Sequence, residues 1–190
     1  MVGTPRHSGK SFELNGDLMI HNGPYLIQAA PIKDMVNGKM VGPGGTSFGL
    51  SEAGYDIRIK QKIQFKKWDT TKTFFTLVKE PGSDWMTNRD GRFALASAIE
   101  EFDMPSFLTG IVHDKSTWAR KGLSVFNTVI EPGWKGFLTL ELVYHGEEDL
   151  IIPAGAGIAQ VIFHENLAPA HYNGKYQNQA DKPVAAIESK

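Results

Sequence analysis

The chain has 190 residues, of which 41% are hydrophobic, and a formal net charge of −1 at pH 7. This length favours one domain, and this hydrophobic fraction suffices for a buried core, which excludes global disorder. The near-zero net charge argues against a protein that coats nucleic acid through its phosphates. The chain has no cysteine, which excludes disulfides, thiol nucleophiles and zinc sites built on thiolates.

Membrane and metal binding are not indicated by the pattern of residues. No apolar run reaches the roughly 18 residues that a membrane span needs, and residues 1–10 have no apolar signal-peptide stretch. The six histidines are not at metal-ligand spacing. We therefore expect a cytoplasmic protein with no membrane partner, no nucleic-acid partner and no protein-bound metal.

Three regions follow from composition along the chain. Residues 1–12 are polar and predict a flexible arm, and residues 13–168 predict one β domain. In this domain short apolar segments alternate with turn signals such as Asn37-Gly38 and Gly42-Pro43-Gly44-Gly45. Residues 169–190 are polar and predict a tail that is mobile unless something binds it.

Several segments have the length and composition of strands. Tyr55–Ile59, Phe74–Val78 and Phe137–Tyr144 are rich in β-branched and aromatic residues. Repeated short strands of this kind are typical of an all-β sandwich or barrel. Ala94–Met104 is ambiguous, because its Ala, Leu and Glu favour helix while its length also suits a strand.

A short helix is predicted over residues 114–120, with Asp114 as its capping residue. Ser116 and Arg120 lie four residues apart and would share one face of this helix. With Lys115 they could bind an anion or hold a water molecule. The alternative is an ordinary capped surface helix.

Glu141 is the most notable acidic residue, because it lies in the middle of a predicted strand. Alternation along that strand places Glu141 on the face of Phe137, Thr139 and Val143, which is mostly apolar. A partly buried carboxylate has a raised pKa and can carry protons near neutral pH. The alternative is a solvated glutamate on the outer face of the strand.

Several motifs in order resemble the dCTP deaminase family of the dUTPase-like superfamily. The segments that resemble the family's motifs are Asp114–Leu123, Ile130–Gly136, Leu138–Glu141, Gly157–Phe163 and Gly174–Gln177. Gly54–Ile59 is similar to the family's N-terminal signature. The resemblance extends from about residue 49 to residue 179.

The resemblance implies a distorted all-β barrel, a jelly-roll-like fold of the dUTPase type with short helices, assembled as a homotrimer with active sites between subunits. It implies deamination of a deoxycytidine nucleotide without zinc, with Mg²⁺ bound only through the nucleotide phosphates. Glu141 would be the general base, and Ser116 and Arg120 would hold the attacking water and stabilise developing charge. The implied nucleotide-binding residues are Lys115, Ser116, Thr117, Arg120, Glu131, Thr139, Leu140, Glu141, Gln160, Tyr172, Lys175 and Gln179.

The sequence departs from the family pattern at four places. Lys115 stands where the family commonly has arginine, and Glu131 stands where it has an aspartate. The segment between Leu123 and Pro132 is about two residues shorter than in the common pattern, and only two residues separate Tyr172 from Lys175, fewer than the family pattern has. A lysine cannot grip phosphate with two parallel hydrogen bonds, so we expect discrimination between dCTP and dCMP to be weaker than in the family.

Three functions remain open at this stage. The first is a cytosine-nucleotide deaminase, which Glu141 favours. The second is a dUTP pyrophosphatase or a bifunctional enzyme, which is possible because the Glu131 carboxylate could activate water for attack on phosphorus. The third is a non-catalytic nucleotide-binding regulator on the same fold.

Overall fold

The computed structural model describes residues 19–68, 73–126 and 128–188. The predicted arm, residues 1–12, and the start of the predicted β domain, residues 13–18, lie outside the described residues. The strands are β1 (Ile20–His21), β2 (Lys39–Val41), β3 (Ser47–Leu50), β4 (Tyr55–Arg58), β5 (Lys62–Trp68), β6 (Thr73–Lys79), β7 (Thr87–Asp90), β8 (Phe93–Asp103), β9 (Leu108–Asp114), β10 (Leu123–Val125), β11 (Val129–Ile130), β12 (Lys135–Tyr144), β13 (Leu150–Ile152) and β14 (Gly157–Glu165).

These strands form three antiparallel sheets. The largest has the order β11-β9-β14-β4-β3-β2, with β1 also paired to β14. A second sheet has the order β10-β12-β8, and a third has the order β13-β5-β6-β7. Several neighbours in the sheets are distant in sequence, such as β4 and β14, so residues from both ends of the domain meet on one surface.

The strands predicted from composition are confirmed. The three segments predicted with that composition coincide with β4, β6 and β12. The ambiguous segment 94–104 forms most of β8, where residues 94, 96, 98 and 102 are buried. Its pairing with β12 along almost its whole length outweighs the helical preference of Ala, Leu and Glu.

Two short helices and one 3-10 turn connect the strands. Helix α1 spans Gly23–Ala29, helix α2 spans Ser116–Ala119, and the 3-10 turn spans Pro43–Gly45. The predicted helix at 114–120 is confirmed, but the prediction of its cap was wrong. Lys115 occupies the N-cap position without a side-chain cap, and Asp114 Oδ1 instead accepts a 2.7 Å hydrogen bond from the Val125 amide.

The turn that precedes β12 has the geometry that its sequence demands. The Trp134 amide donates to the Glu131 carbonyl oxygen at 3.1 Å. Gly133 has a φ of +72°, a value that glycine adopts without the steric cost that a side chain would add. We call residues 131–134 the β12 turn.

The described part of the tail packs against this turn and against β12 of its own chain. The Tyr172 amide donates to the Pro132 carbonyl at 2.7 Å, and Trp134 Nε1 donates to the Tyr176 carbonyl at 2.7 Å. Gln179 then pairs with Gly136 in a parallel bridge.

Within the described ranges, no helix has both the length and the apolar character needed to cross a bilayer.

Candidate active site

A cavity of about 430 Å³ opens between β12, the β12 turn and the tail. We call it the β12 cavity. Its walls are mostly apolar and include side chains from β8, β11 and β12. Its polar side chains are those of Thr128, Glu131, Thr139, Glu141, Tyr172, Tyr176 and Gln179. A mostly apolar pocket of this size with a few polar groups is the usual form of a small-molecule site.

Glu141 is half-buried in the wall of this cavity. The neighbouring residues Leu140 and Leu142 point to the opposite face and are buried in the core. Burial raises the pKa of the Glu141 carboxyl group, and a hydrogen bond from its own backbone offsets part of this effect. This environment decides between the two interpretations of the sequence: Glu141 is not a solvated glutamate on an outer face.

Thr139 lies two residues before Glu141 and holds the tail over the cavity. Gln179 Nε2 donates to Thr139 Oγ1 at 2.6 Å, and the Val184 amide donates to the same oxygen at 3.0 Å. Val184 and Ala186 thereby become part of the cavity wall. A wall of the β12 cavity is thus supplied by the C-terminal segment.

A second cavity, of about 410 Å³, lies on the large sheet beside helix α2. We call it the β3 cavity. It is lined mainly by polar side chains, which include the predicted residues Lys115, Ser116, Thr117 and Gln160. Gln160 is held in place by a 2.9 Å hydrogen bond from its Nε2 to Ser51 Oγ.

Lys115 forms an ion pair with Asp56 inside the β3 cavity. The Asp56 residue is only 2% exposed, and its Oδ2 also accepts a 2.8 Å hydrogen bond from Ser47 Oγ. Its other oxygen, Oδ1, is buried and has no hydrogen-bond partner among the described residues. The ammonium of Lys115 is therefore already engaged by a buried carboxylate.

The other predicted residues lie apart from these two groups. Arg120 lines a third cavity together with Tyr144 and residues 146–151, so Ser116 and Arg120 do not line the same cavity. The Leu140 side chain is buried in the core, which leaves only its backbone for a nucleotide. Lys175 donates to the Ile187 carbonyl within the tail.

Sequence reasoning missed several cavity residues. Asp56 lies within Gly54–Ile59, the segment that resembles the family's N-terminal signature. A charged residue in the middle of an apolar strand could have marked it as a candidate site residue. Lys39 and Ser47 line the β3 cavity, but they precede or border the part of the chain that carried the resemblance. Val184 could not be predicted from its side chain, because it is held in the cavity wall by a hydrogen bond from its backbone amide to Thr139.

Within residues 19–68, 73–126 and 128–188, no group of three His, Asp or Glu side chains could hold a metal ion.

Comparison with known proteins identifies the family. A family model described as dCTP deaminase-like matches residues 27–166. The chain belongs to the dCTP deaminase-like family. The match extends from Ile27 in α1 to the residue after β14. It includes the lining of both cavities except for the tail residues of the β12 cavity.

Members of this family from bacteria are similar over most of their length. A dCTP deaminase from Campylobacter concisus is 38% identical over 156 residues, which are 74% of this chain and 82% of that protein. A dCTP deaminase from Roseiflexus castenholzii is 39% identical over 151 residues, which are 72% of this chain and 80% of that protein.

The fold is similar to that of a solved family structure. The 2′-deoxycytidine 5′-triphosphate deaminase from Agrobacterium tumefaciens superposes with a TM-score of 0.50 at 14% identity, over 78% of this chain and 49% of that one. The prediction of an all-β fold of the dUTPase type is confirmed.

Proposed function

We propose that this protein hydrolytically deaminates a deoxycytidine nucleotide to the deoxyuridine nucleotide and ammonia. The observation that carries the proposal is the position of Glu141, half-buried in a mostly apolar cavity and with a raised pKa. Such a carboxylate accepts protons more readily than one in water, which is the property that a general base needs. The names of the relatives support a cytosine nucleotide as substrate.

Glu141 alone can carry every proton that the deamination requires. The Glu141 carboxylate takes a proton from water, whose oxygen bonds to the ring carbon that bears the amino group. Glu141 then gives this proton to the ring nitrogen, which leaves a tetrahedral carbon. Transfer of the hydroxyl proton to the amino group, again through Glu141, allows ammonia to leave and the carbonyl to form. Thr139 lies beside Glu141 in the same wall and can orient the base.

Ser116 and Arg120 would complete the site by holding water and stabilising charge at the reacting carbon. In one chain Ser116, Arg120 and Glu141 line three different cavities. This separation supports a homotrimer in which neighbouring chains bring these residues to one active site. Arg120 is exposed on the surface, where a neighbouring chain could meet it.

The phosphates would bind at the β3 cavity, beside Thr117 and Gln160, where Lys115 adds positive charge while paired with Asp56. The tail residues Lys175 and Gln179 of a neighbouring chain would close over them. Mg²⁺ is expected to arrive with the phosphates rather than to reside in the protein. Asp56 and Asp114 line the same cavity, and carboxylate oxygens can accept hydrogen bonds from waters bound to Mg²⁺.

A bifunctional enzyme that also hydrolyses dUTP is the second candidate, and one observation favours it. Glu131 lines the same cavity as Glu141, so two carboxylates face one bound nucleotide. Glu131 could activate a second water for attack on phosphorus.

One product assay separates these functions. The protein is incubated with dCTP and Mg²⁺, and ammonia, dUTP, dUMP and pyrophosphate are quantified. Equal amounts of ammonia and dUTP are expected for the deaminase, whereas dUMP and pyrophosphate would reveal the bifunctional enzyme. Binding without any product would contradict catalysis and leave the regulator. A zinc chelator in excess Mg²⁺ is expected to leave the rate unchanged.

A further inference from the structure

A row of paired residues joins Lys39, Asp56 and Gln160, three residues that line the β3 cavity. Gly49 of β3 is paired with Lys39 on one side and with Asp56 on the other, and Asp56 is paired in turn with Gln160. Directly paired residues point to the same face of a sheet. Gly49 has a φ of +93°, and a side chain there would collide with the Gly38 carbonyl oxygen, so this position in the row requires glycine.

Only one lysine of this cavity is available to a new ligand. The Lys115 side chain is 12% exposed and is paired with the buried Asp56. Removing it from that partner would leave a buried carboxylate without compensation, which is strongly unfavourable.

Lys39 is held much less firmly. Its Nζ lies 3.0 Å from Glu52 Oε2, but the side chains are 49% and 80% exposed. An exposed pair of this kind contributes little stability, so an anion of higher charge can replace Glu52.

We propose that Lys39 is a phosphate-contacting residue that sets the preference for nucleotide triphosphates. This inference rests on the proposed function and adds a residue to its site. The cavity is lined by two lysines and two aspartates, Lys39, Lys115, Asp56 and Asp114, and the charge of Lys115 is already balanced by Asp56. Lys39 then supplies the cation for the outer phosphate oxygens, the contact that Lys115 cannot make while it is paired.

The test measures binding of inorganic tripolyphosphate with Mg²⁺ by calorimetry, which does not depend on turnover. Lys39→Met is expected to weaken this binding about ten- to a hundredfold, the effect of one lost charge-assisted contact. Glu52→Gln removes the competing carboxylate and is expected to tighten binding. Lys33→Met is the matched control, because Lys33 is 51% exposed and is also paired with a glutamate, but it is not part of the cavity.

The same variants are assayed for kcat/KM with dCTP and dCMP. Lys39→Met is expected to lower the value for dCTP and leave that for dCMP nearly unchanged. Equal tripolyphosphate affinity for the wild type, Lys39→Met and Lys33→Met would overturn the inference, as would wild-type protein that binds no tripolyphosphate. Lys39-dependent binding without ammonia release would instead support the inference and contradict the proposed deamination.

Discussion

At the scale of single residues, Glu141 carries a cost of folding that its proposed chemistry explains. A carboxylate in an apolar wall is less well solvated than in the unfolded chain, and its pKa is therefore raised in the folded state. The folded chain then binds this proton more readily than the unfolded chain does. The free energy of unfolding consequently falls as pH rises from the ordinary glutamate range through the raised pKa, and the cost is fully present above it.

Glu141→Gln is expected to abolish turnover while nucleotide binding survives. The amide keeps the shape of the side chain but cannot accept the proton, so kcat should fall by at least about 10²- to 10⁴-fold. Glu101→Gln is the matched control, because Glu101 is a partly exposed carboxylate on β8 outside the cavity. A near-normal rate in Glu141→Gln would show that another residue is the base.

The same substitution should stabilise the protein, and by more at high pH. Glu141→Gln removes the poorly solvated charge, so its melting temperature is expected to exceed that of the wild type at pH 7. The difference should shrink as pH falls towards the ordinary glutamate pKa, where both folded forms are neutral at this position. Thermal melts of both proteins at several pH values test this, and a pH-independent difference would contradict it.

At the scale of elements, local patterns predicted the strands but not which of them meet. The alternation of β12 from Thr139 onward and the helix α2 follow from the local pattern, and both are confirmed. Before Thr139 the alternation was wrong, because an irregularity between Phe137 and Thr139 brings Leu138 into the wall of the β12 cavity. The β3 cavity depends on one long-range pairing, that of Asp56 on β4 with Gln160 on β14. Lys39 joins the same row of paired residues through the hairpin of β2 and β3, whose turn was visible in the sequence as Gly42-Pro43-Gly44-Gly45 but whose register was not.

Helix α2 is fixed to β14 by a single buried side chain. Trp118 is 2% exposed, and its Nε1 donates to the Gly157 carbonyl at 2.7 Å. Trp118→Phe is expected to leave this oxygen without its partner and to destabilise the fold by about 1–3 kcal/mol in denaturant unfolding. Trp85→Phe, at an 81% exposed site, should be close to neutral. Equal effects at both positions would argue against this hydrogen bond as a fixing contact.

The tail is expected to contribute to reading the phosphates. A chain that ends at Ala170 loses Lys175 and Gln179, so kcat/KM should fall more for dCTP than for dCDP or dCMP. Lys175→Met tests the same contact in a full-length chain, in which the wall built by Val184 is retained. If truncation changes the three rates by the same factor, the tail does not read the phosphate level.

At the scale of the whole molecule, the separation of Arg120 from Glu141 predicts complementation between chains. Glu141→Gln and Arg120→Ala should each be inactive alone. Mixed trimers are expected to regain activity, because some interfaces then combine an intact Glu141 with an intact Arg120 from the neighbouring chain. The measurement is ammonia release after subunit exchange, with exchange itself verified by native mass spectrometry. No recovery after proven exchange would place both residues in sites formed by one chain.

The β12 turn touches both the cavity and the tail. Glu131 faces the cavity, while the Pro132 carbonyl accepts from Tyr172 and the Gly133 carbonyl accepts a 2.9 Å bond from Gln177 Nε2. A ligand that shifts this turn would change how firmly the tail docks, and thermodynamic reciprocity requires the docked tail to change the ligand's affinity by the same factor. Through the β12 turn, ligand binding in the cavity and docking of the tail would therefore be thermodynamically coupled.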